Sequence, residues 1–234
     1  MSLFSAVELA PRDPILGLNE AFNADTRTEK VNLGVGVYCN EEGRIPLLRA
    51  VIEAETQRAA QHASRGYLPI DGIAAYDQAV QKLLFGAESP LLAAGRVVTV
   101  QAVGGTGALK IGADFLKQLS PNAVVAISDP SWENHRALFE SAGFIVNNYT
   151  YYDPATHGVN FEGMLASLNK MPQGSIVVLH ACCHNPTGAD LTQAQWGQVI
   201  AAVQANGLIP FLDMAYQGFG SGIAEDGAVV RRFV

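Results

Sequence analysis

Leu208-Ile209-Pro210-Phe211-Leu212-Asp213-Met214-Ala215-Tyr216-Gln217 is a short apolar run that ends abruptly in a carboxylate. In a parallel sheet such a run is a buried strand whose C-terminal end opens onto the crevice where ligands bind. Asp213 therefore stands at a ligand mouth. A carboxylate there is costly unless a cation meets it, because an unpaired buried charge neutralises itself by moving its pKa. An Arg, a metal or a cofactor nitrogen would each serve. Tyr216 brings a phenol to the same mouth, and the preceding unit ends in His180-Ala181-Cys182-Cys183-His184-Asn185-Pro186-Thr187-Gly188. Two consecutive strand ends thus deliver Asn185, Tyr216 and Asp213 to one place.

Outward from this stretch, the chain from Arg96 onward alternates strand and helix. Strands are expected at Val97–Val103, Ala123–Ser128, Phe144–Tyr149 and Ser175–His180, with helices at Gly105–Leu119, Ser131–Ala142 and around Phe161–Leu168. Thr192-Gln193-Ala194-Gln195 matches a capping box that opens a helix with Trp196, Val199, Ile200 and Val203 inward and Gly207 as its stop. This repeated order predicts an α/β fold, a mostly parallel sheet with helices on both faces. Beyond it, Glu225 to Val234 reads as the opening turns of another helix, with no cap and no following strand.

Upstream the pattern is less regular. Asp13-Pro14 reads as an N-cap followed by Pro at the first helical position, and Ile15, Leu16 and Leu18 give a short helix to Phe22 an apolar side. In Val31-Asn32-Leu33-Gly34-Val35-Gly36-Val37-Tyr38 the glycines are either strand irregularity or a place where backbone approaches a ligand. Glu41-Glu42-Gly43-Arg44 is a turn. Pro46 is expected to open a helix with Leu47, Leu48, Val51 and Ile52 on one side. Gly66 to Gly72 is a loop, and a helix with Ile73, Val80, Leu83 and Leu84 inward runs to Phe85-Gly86.

The 234 residues are 49% hydrophobic, enough for one large α/β domain or one domain plus a fragment. A net charge of −7 argues against nucleic acid or an anionic membrane as partner. No stretch approaches the roughly 20 apolar residues of a spanning helix, and the first residues do not read as a signal peptide. Three cysteines, two of them adjacent, make no disulfide framework and point to a reducing cytoplasm.

Gly104-Gly105-Thr106-Gly107-Ala108-Leu109 joins a strand to a helix. Free N–H groups at a helix start, glycines that permit close approach and a Thr hydroxyl suit an anion, most often phosphate, although a Gly-rich turn without a ligand has the same composition. The GxGxxG register is missing, as is the Lys-Ser/Thr of a Walker loop. Trp132 and His135 open the helix after Asp129-Pro130, where an aromatic plane could stack on a planar ligand or simply join the core. His180, Cys182, Cys183 and His184 do not have zinc spacing, so no metal is expected. Asn185-Pro186-Thr187-Gly188 is a turn by composition, with the residue before Pro held extended.

With these residues in order, the chain resembles the N-terminal portion of a class I, fold type I aminotransferase of the aspartate and aromatic amino-acid branch. The resemblance is carried by Asn32 to Tyr38, Gly104 to Leu109, Ser131-Trp132-Glu133-Asn134-His135, Cys182 to Gly188 and Asp213 to Phe219, together with Asp13 to Leu16. It implies pyridoxal 5′-phosphate as cofactor, with its phosphate at Gly105 and Thr106 and its pyridine nitrogen facing Asp213. His135 would back Asp213 and Trp132 would stack on the ring. Asn185 and Tyr216 would bond the ring's 3-oxygen, and Tyr67 would reach a neighbouring subunit's phosphate. Gly36, Trp132 and Asn185 would meet substrate.

The same resemblance implies an amino acid and a 2-oxo acid as substrates, 2-oxoglutarate among them, in a ping-pong reaction of a homodimer. Residues 1–44 would be an N-terminal arm and the first part of a small domain, and 45–234 a partial cofactor-binding large domain. Family members hold the cofactor as a Schiff base to a Lys beyond the Asp-x-Ala-Tyr segment. The lysines here are Lys30, Lys82, Lys110, Lys117 and Lys170, and none has that place. The chain by itself is therefore expected not to transaminate. Two other readings stand beside this one: a lyase or decarboxylase using the same cofactor and fold, and a non-catalytic interaction module.

Overall fold

The computed structural model describes residues 3–8, 14–32, 34 and 36–234. Asp13, the expected first cap, and Leu33 and Val35, inside the expected strand, lie outside the described residues, as do the side chains of Ile15 and Leu16. The chain divides into two compact units, Met1–Gly66 and Tyr67–Val234.

The first unit holds a 3-10 turn, Leu3–Ala6, and two helices, α1 (Pro14–Ala24) and α2 (Arg49–Ala60). Lys30 closes the end of α1: its Nζ donates to the carbonyls of Phe22 and Asp25, both at 2.6 Å, and lies over the Phe22 ring. The turn expected at Glu41 to Arg44 forms, with Gly43 at φ 70°. The helix expected to open at Pro46 instead begins at Arg49. Leu48 is extended and no side chain caps the helix start, so nothing fixes the turn earlier. Leu47, Leu48, Val51 and Ile52 are exposed rather than packed. Among the described residues Val31 to Tyr38 forms no strand.

The second unit is built on a parallel sheet. Strands β1 (Val124–Asp129), β2 (Ile145–Thr150), β5 (Ile176–His180) and β6 (Ile209–Asp213) stand in the order β2-β1-β5-β6, while β3 (Tyr152–Asp153) and β4 (Gly158–Val159) form a separate short hairpin. The β5–β6 register pairs Ile176 with Ile209 and His180 with Asp213, so both strands end together. Alternate residues of the apolar runs supply opposite faces. Val177 and Leu179 join Met164 and Leu168 of α7 (Phe161–Leu168) and Trp196, Val199 and Val203 of α8 (Gln193–Ala205). Ile176 and Val178 join Val125, Ile127, Phe139 and Phe144 on the other side, with Ala113 of α5 (Gly104–Leu119) and Phe139 of α6 (Glu133–Ser141). The sheet is thus covered on both faces, as the order of elements implies.

The α8 start has both halves of its capping box, Gln195 N to Thr192 Oγ1 at 3.2 Å and Thr192 N to Gln195 Oε1 at 2.8 Å. All four residues expected inward on α8 are buried, and Gly207, at φ 58°, follows its C-cap. On α5 the close approach to β6 is made at Gly112, where an added Cβ would lie 2.9 Å from the Phe211 ring. Gly112→Val is therefore expected to lose about 1–3 kcal/mol of stability through overpacking. An unchanged midpoint in urea unfolding would mean that Phe211 yields freely.

Three further expectations are corrected. Val97–Val103 forms no strand: Gln101 N is satisfied by Asp71 O, Gln101 Oε1 by Ile73 N and Thr99 Oγ1 by Gln81, and among the described residues no ladder runs beside it. The helix expected from Ser131 opens at Glu133, with Trp132 as an extended N-cap. In α3 (Ala74–Phe85) Leu83 is exposed, and Val80 and Leu84 are only half-buried. A four-residue helix, α4 (Pro90–Ala93), follows it, and α9 (Ile223–Arg231) occupies the place of the helix expected near Glu225. No helix of the described residues is long and apolar enough to cross a membrane.

Candidate active site at the strand ends

The carboxyl ends of β5 and β6 and the amino end of α5 open onto one cavity of about 180 Å³. Gly105, Leu109, Trp132, His180, Cys182, Asn185, Asp213, Ala215 and Tyr216 line it. The helix start with its free N–H groups and the carboxylate at the end of β6 therefore share one space. Gly105 and Thr106 lie in the first turn of α5, which has no side-chain cap and leaves N–H groups for a ligand. Gly105 lines the cavity, whereas Thr106 is exposed and is not among the lining residues.

Asp213 is held from behind. His135, fully buried, brings Nε2 to 2.8 Å from Asp213 Oδ2 and Nδ1 to 2.9 Å from Ser131 Oγ. Ser131, just ahead of the α6 N-cap, sets its hydroxyl against the ring of His135 in the first turn of the helix, and the ring in turn meets the carboxylate. Trp132 meets the His135 ring edge-on at 5.4 Å. Asn185 follows β5, its peptide to Pro186 being cis. Tyr216 is 40% exposed at the mouth. Tyr67, the first residue of the second unit, is fully exposed and outside the cavity lining. Gly36 belongs to the first unit, where an added Cβ would meet nothing within 4 Å.

The sequence reading passed over His180 as part of the site. It lines the cavity, and neither ring nitrogen has a hydrogen-bond partner although both are buried. Burial, then the neighbouring His135, pushes its pKa down to about 4, against the pull of Asp213. His184 behind it is pushed to about 3, first by burial and then by His180 and His135. Its ring is nonetheless satisfied, with Nε2 2.9 Å from Ser128 Oγ and Nδ1 2.8 Å from Thr187 Oγ1, and stacks on Tyr151. Both histidines are neutral at pH 7. The signal for His180 was present in the register: strand-end logic that singles out Asp213 applies equally to its β5 partner.

His135, His180 and Asp213 each offer a ligand atom within 4.8 Å of the others, a different set from the Cys-His run weighed in the sequence. The 2.8 Å bond between His135 and Asp213 already engages one ligand atom of each. Burial pushes Cys182 up to about 12 and raises Cys183 as well, so both are thiols rather than thiolate ligands at neutral pH.

A parallel α/β sheet with a cavity at its strand ends, a helix start with free backbone N–H groups and a supported carboxylate in one lining, is the usual place for a small ligand in an α/β fold. Residues 28–233 match the family described as aminotransferase class I and II. The chain belongs to that family. It is 75% identical over 233 residues to an aspartate aminotransferase of Pseudomonas aeruginosa, covering 100% of this chain and 58% of the relative. To the aromatic-amino-acid aminotransferase of Escherichia coli it is 54% identical over 230 residues, 98% of this chain and 58% of that one. Among solved structures, the aromatic-amino-acid aminotransferase of Burkholderia pseudomallei, covalently bound to pyridoxal phosphate, superposes with a TM-score of 0.97 at 73% identity. It is covered to 58%, and this chain to 100%. The chain thus spans a little over half the length of these relatives.

Proposed function

We propose that this chain carries the cofactor-binding part of a pyridoxal-phosphate-dependent aminotransferase acting on aromatic amino acids or aspartate with 2-oxoglutarate by a ping-pong route. The observation that carries the reading is the shared cavity of Gly105 and Asp213, with Trp132, Asn185 and Tyr216 between them. The donor set fits the coenzyme: an uncapped helix start for a phosphate, and a half-buried carboxylate, its side chain 18% exposed, that wants a cationic nitrogen. Bound pyridoxal phosphate supplies an electron sink for the carbanion formed at the substrate's α-carbon.

The chain's own residues then have distinct tasks. Asp213, kept in place by His135, would hold the proton on the pyridine nitrogen. The backbone of Gly105 and Thr106 would take the phosphate, Trp132 would stack on the ring, and Asn185 and Tyr216 would hydrogen-bond the 3-oxygen. Asn185 would also meet the substrate carboxylate. Residues 1–44 would serve as arm and first part of a small domain and 45–234 as a partial large domain, and Tyr67 would reach the phosphate site of a second subunit in a homodimer. The free cysteines suit a reducing cytoplasm.

The 234-residue chain is expected to bind the coenzyme without turning over. Among the described residues none of the five lysines lines the cavity. Lys110 pairs with Asp114, Lys117 caps the carbonyls of Pro121 and Gly143, and Lys170 lies at a separate depression beside Asn147 and Ser167. Titration with pyridoxal phosphate, followed by borohydride and peptide mapping, should give saturable binding but no stoichiometric label on one lysine. Stoichiometric labelling together with transamination of tyrosine or aspartate would overturn the inactivity. Absence of saturable binding would overturn the site assignment for this chain.

A further inference from the structure

The loop that carries Tyr216 runs from Met214 to Gly222, between β6 and α9, with no regular structure of its own. Its backbone is gathered by one side chain. Asp226, only 6% exposed, accepts Gly218 N at 2.8 Å and Gly220 N at 3.0 Å on Oδ2, and Ser221 N at 2.8 Å on Oδ1. Among the described residues it forms no ion pair. Its counter-charge is therefore the fan of loop amides together with the amino end of α9, in whose first turn and a half it sits. The fit is close: a Cβ at Gly220 would lie 2.8 Å from Asp226 Oδ1, and Gly218 and Gly222 take φ 98° and 146°. Burial pushes the Asp226 pKa up, yet the donated bonds of Ser221, Gly218, Gly220 and Gly222 leave it below the ordinary carboxylate value. The carboxylate is thus ionised where a buried, unbonded one would not be.

The loop that carries Asn185 has the same device. Asp190 accepts Cys183 N at 2.7 Å and His184 N at 2.8 Å, and Cys183 sits at φ 51°, a backbone state a non-glycine residue keeps only when its surroundings impose it. The loops that carry Tyr216 and Asn185 thus each have a carboxylate tying nearby backbone amides.

We infer that Asp226 is a positioning residue: by clamping the amides of Gly218, Gly220 and Ser221 it fixes the phenol of Tyr216 at the cavity, with Asp190 doing the same for Asn185. The effect on the coenzyme rests on the proposed function; the effect on the loop does not. A phenol on a loose loop must be ordered at binding, and that ordering entropy is subtracted from affinity. In Asp226→Asn an NH₂ replaces one acceptor and faces amide donors.

The test uses the 234-residue chain. Hydrogen exchange followed by NMR should show the amides of Gly218, Gly220 and Ser221 exchanging at least about 10-fold faster in Asp226→Asn, with those of Val125 to Ser128 unchanged. Pyridoxal phosphate affinity should fall about 10-fold in Asp226→Asn. It should fall little further in the double variant with Tyr216→Phe than in the worse single variant, since the two act through one group. Additive losses, or unchanged exchange of the three amides, would overturn the inference. If the unsubstituted chain takes up no pyridoxal phosphate, the proposed function fails for it while the exchange comparison still decides the clamp. Should Asp226→Asn not fold, Gly220→Ala gives the second route: its methyl presses on Oδ1 and should speed the same three amides, and unchanged exchange there would count against the clamp.

Discussion

Lowering the pH from 7 toward 4 should cost this chain a large part of its folding stability, and two neutral histidines, His180 in the cavity wall and His184 behind it, are the reason. His180 and His184 have folded pKa values near 4 and 3, against an ordinary 6.5, because both are buried among other imidazoles. A depressed folded pKa means that the unfolded chain binds the proton more readily. Stability is thus fully present above about pH 6.5 and is lost as pH falls through the interval down to the folded values. Each histidine accounts for on the order of 3 kcal/mol over that window. This is a large fraction of the roughly 5–15 kcal/mol by which domains are stable. Urea unfolding at pH 7, 5.5 and 4.5 measures it, and His184→Gln should flatten the decline by one histidine's share while leaving that of His180. A stability that does not change between pH 6.5 and 4.5 would mean that the buried imidazoles are protonated in the fold.

Asp213→Asn is the second large effect. The carboxylate is half-buried, its one described side-chain partner is the His135 ring at 2.8 Å, and its other face is the cavity. Removing the charge leaves a ligand cation without its counter-ion, and a charge-assisted bond of this kind is worth about 1.5–3 kcal/mol. Pyridoxal phosphate affinity is therefore expected to drop by about 10- to 100-fold in Asp213→Asn, read by the coenzyme's absorbance on titration. Lys110→Ala, a change at a residue paired with Asp114 and absent from the cavity lining, should leave the affinity as it was. Equal affinity of Asp213→Asn and the unsubstituted chain would remove the charge pairing on which the functional reading stands.

The two effects are linked by geometry. His135, His180 and His184 form a contiguous line of rings, with centroids 4.9 Å and then 4.3 Å apart, running from the Asp213 carboxylate into the core. Desolvation, which keeps His180 and His184 neutral, also removes water from the back of Asp213. What stabilises a cation in the cavity and what makes the fold acid-sensitive are therefore the same burial.

The sequence by itself determined the strand-and-helix order from Ala123 onward, apart from the short hairpin of β3 and β4, and with it the parallel sheet. Apolar runs such as Val124 to Ile127, Ile176 to Leu179 and Ile209 to Leu212, bounded by capping and turn residues, have few other solutions. It also determined that Asp213, Asn185 and Gly105 would stand at strand ends or a helix start, because in a parallel sheet these ends are on one side. Tertiary structure alone decided where a strand signal becomes a strand: Val97 to Val103 has the residues but pairs with no strand among the described residues, and a ladder is a property of two segments. It alone decided that His180 belongs in the site, which is a matter of register, and that Asp226 reaches back to three amides of the Tyr216 loop. Local propensity is written in neighbouring residues, whereas burial, pairing and the pKa shifts that follow are set by segments far apart in the chain.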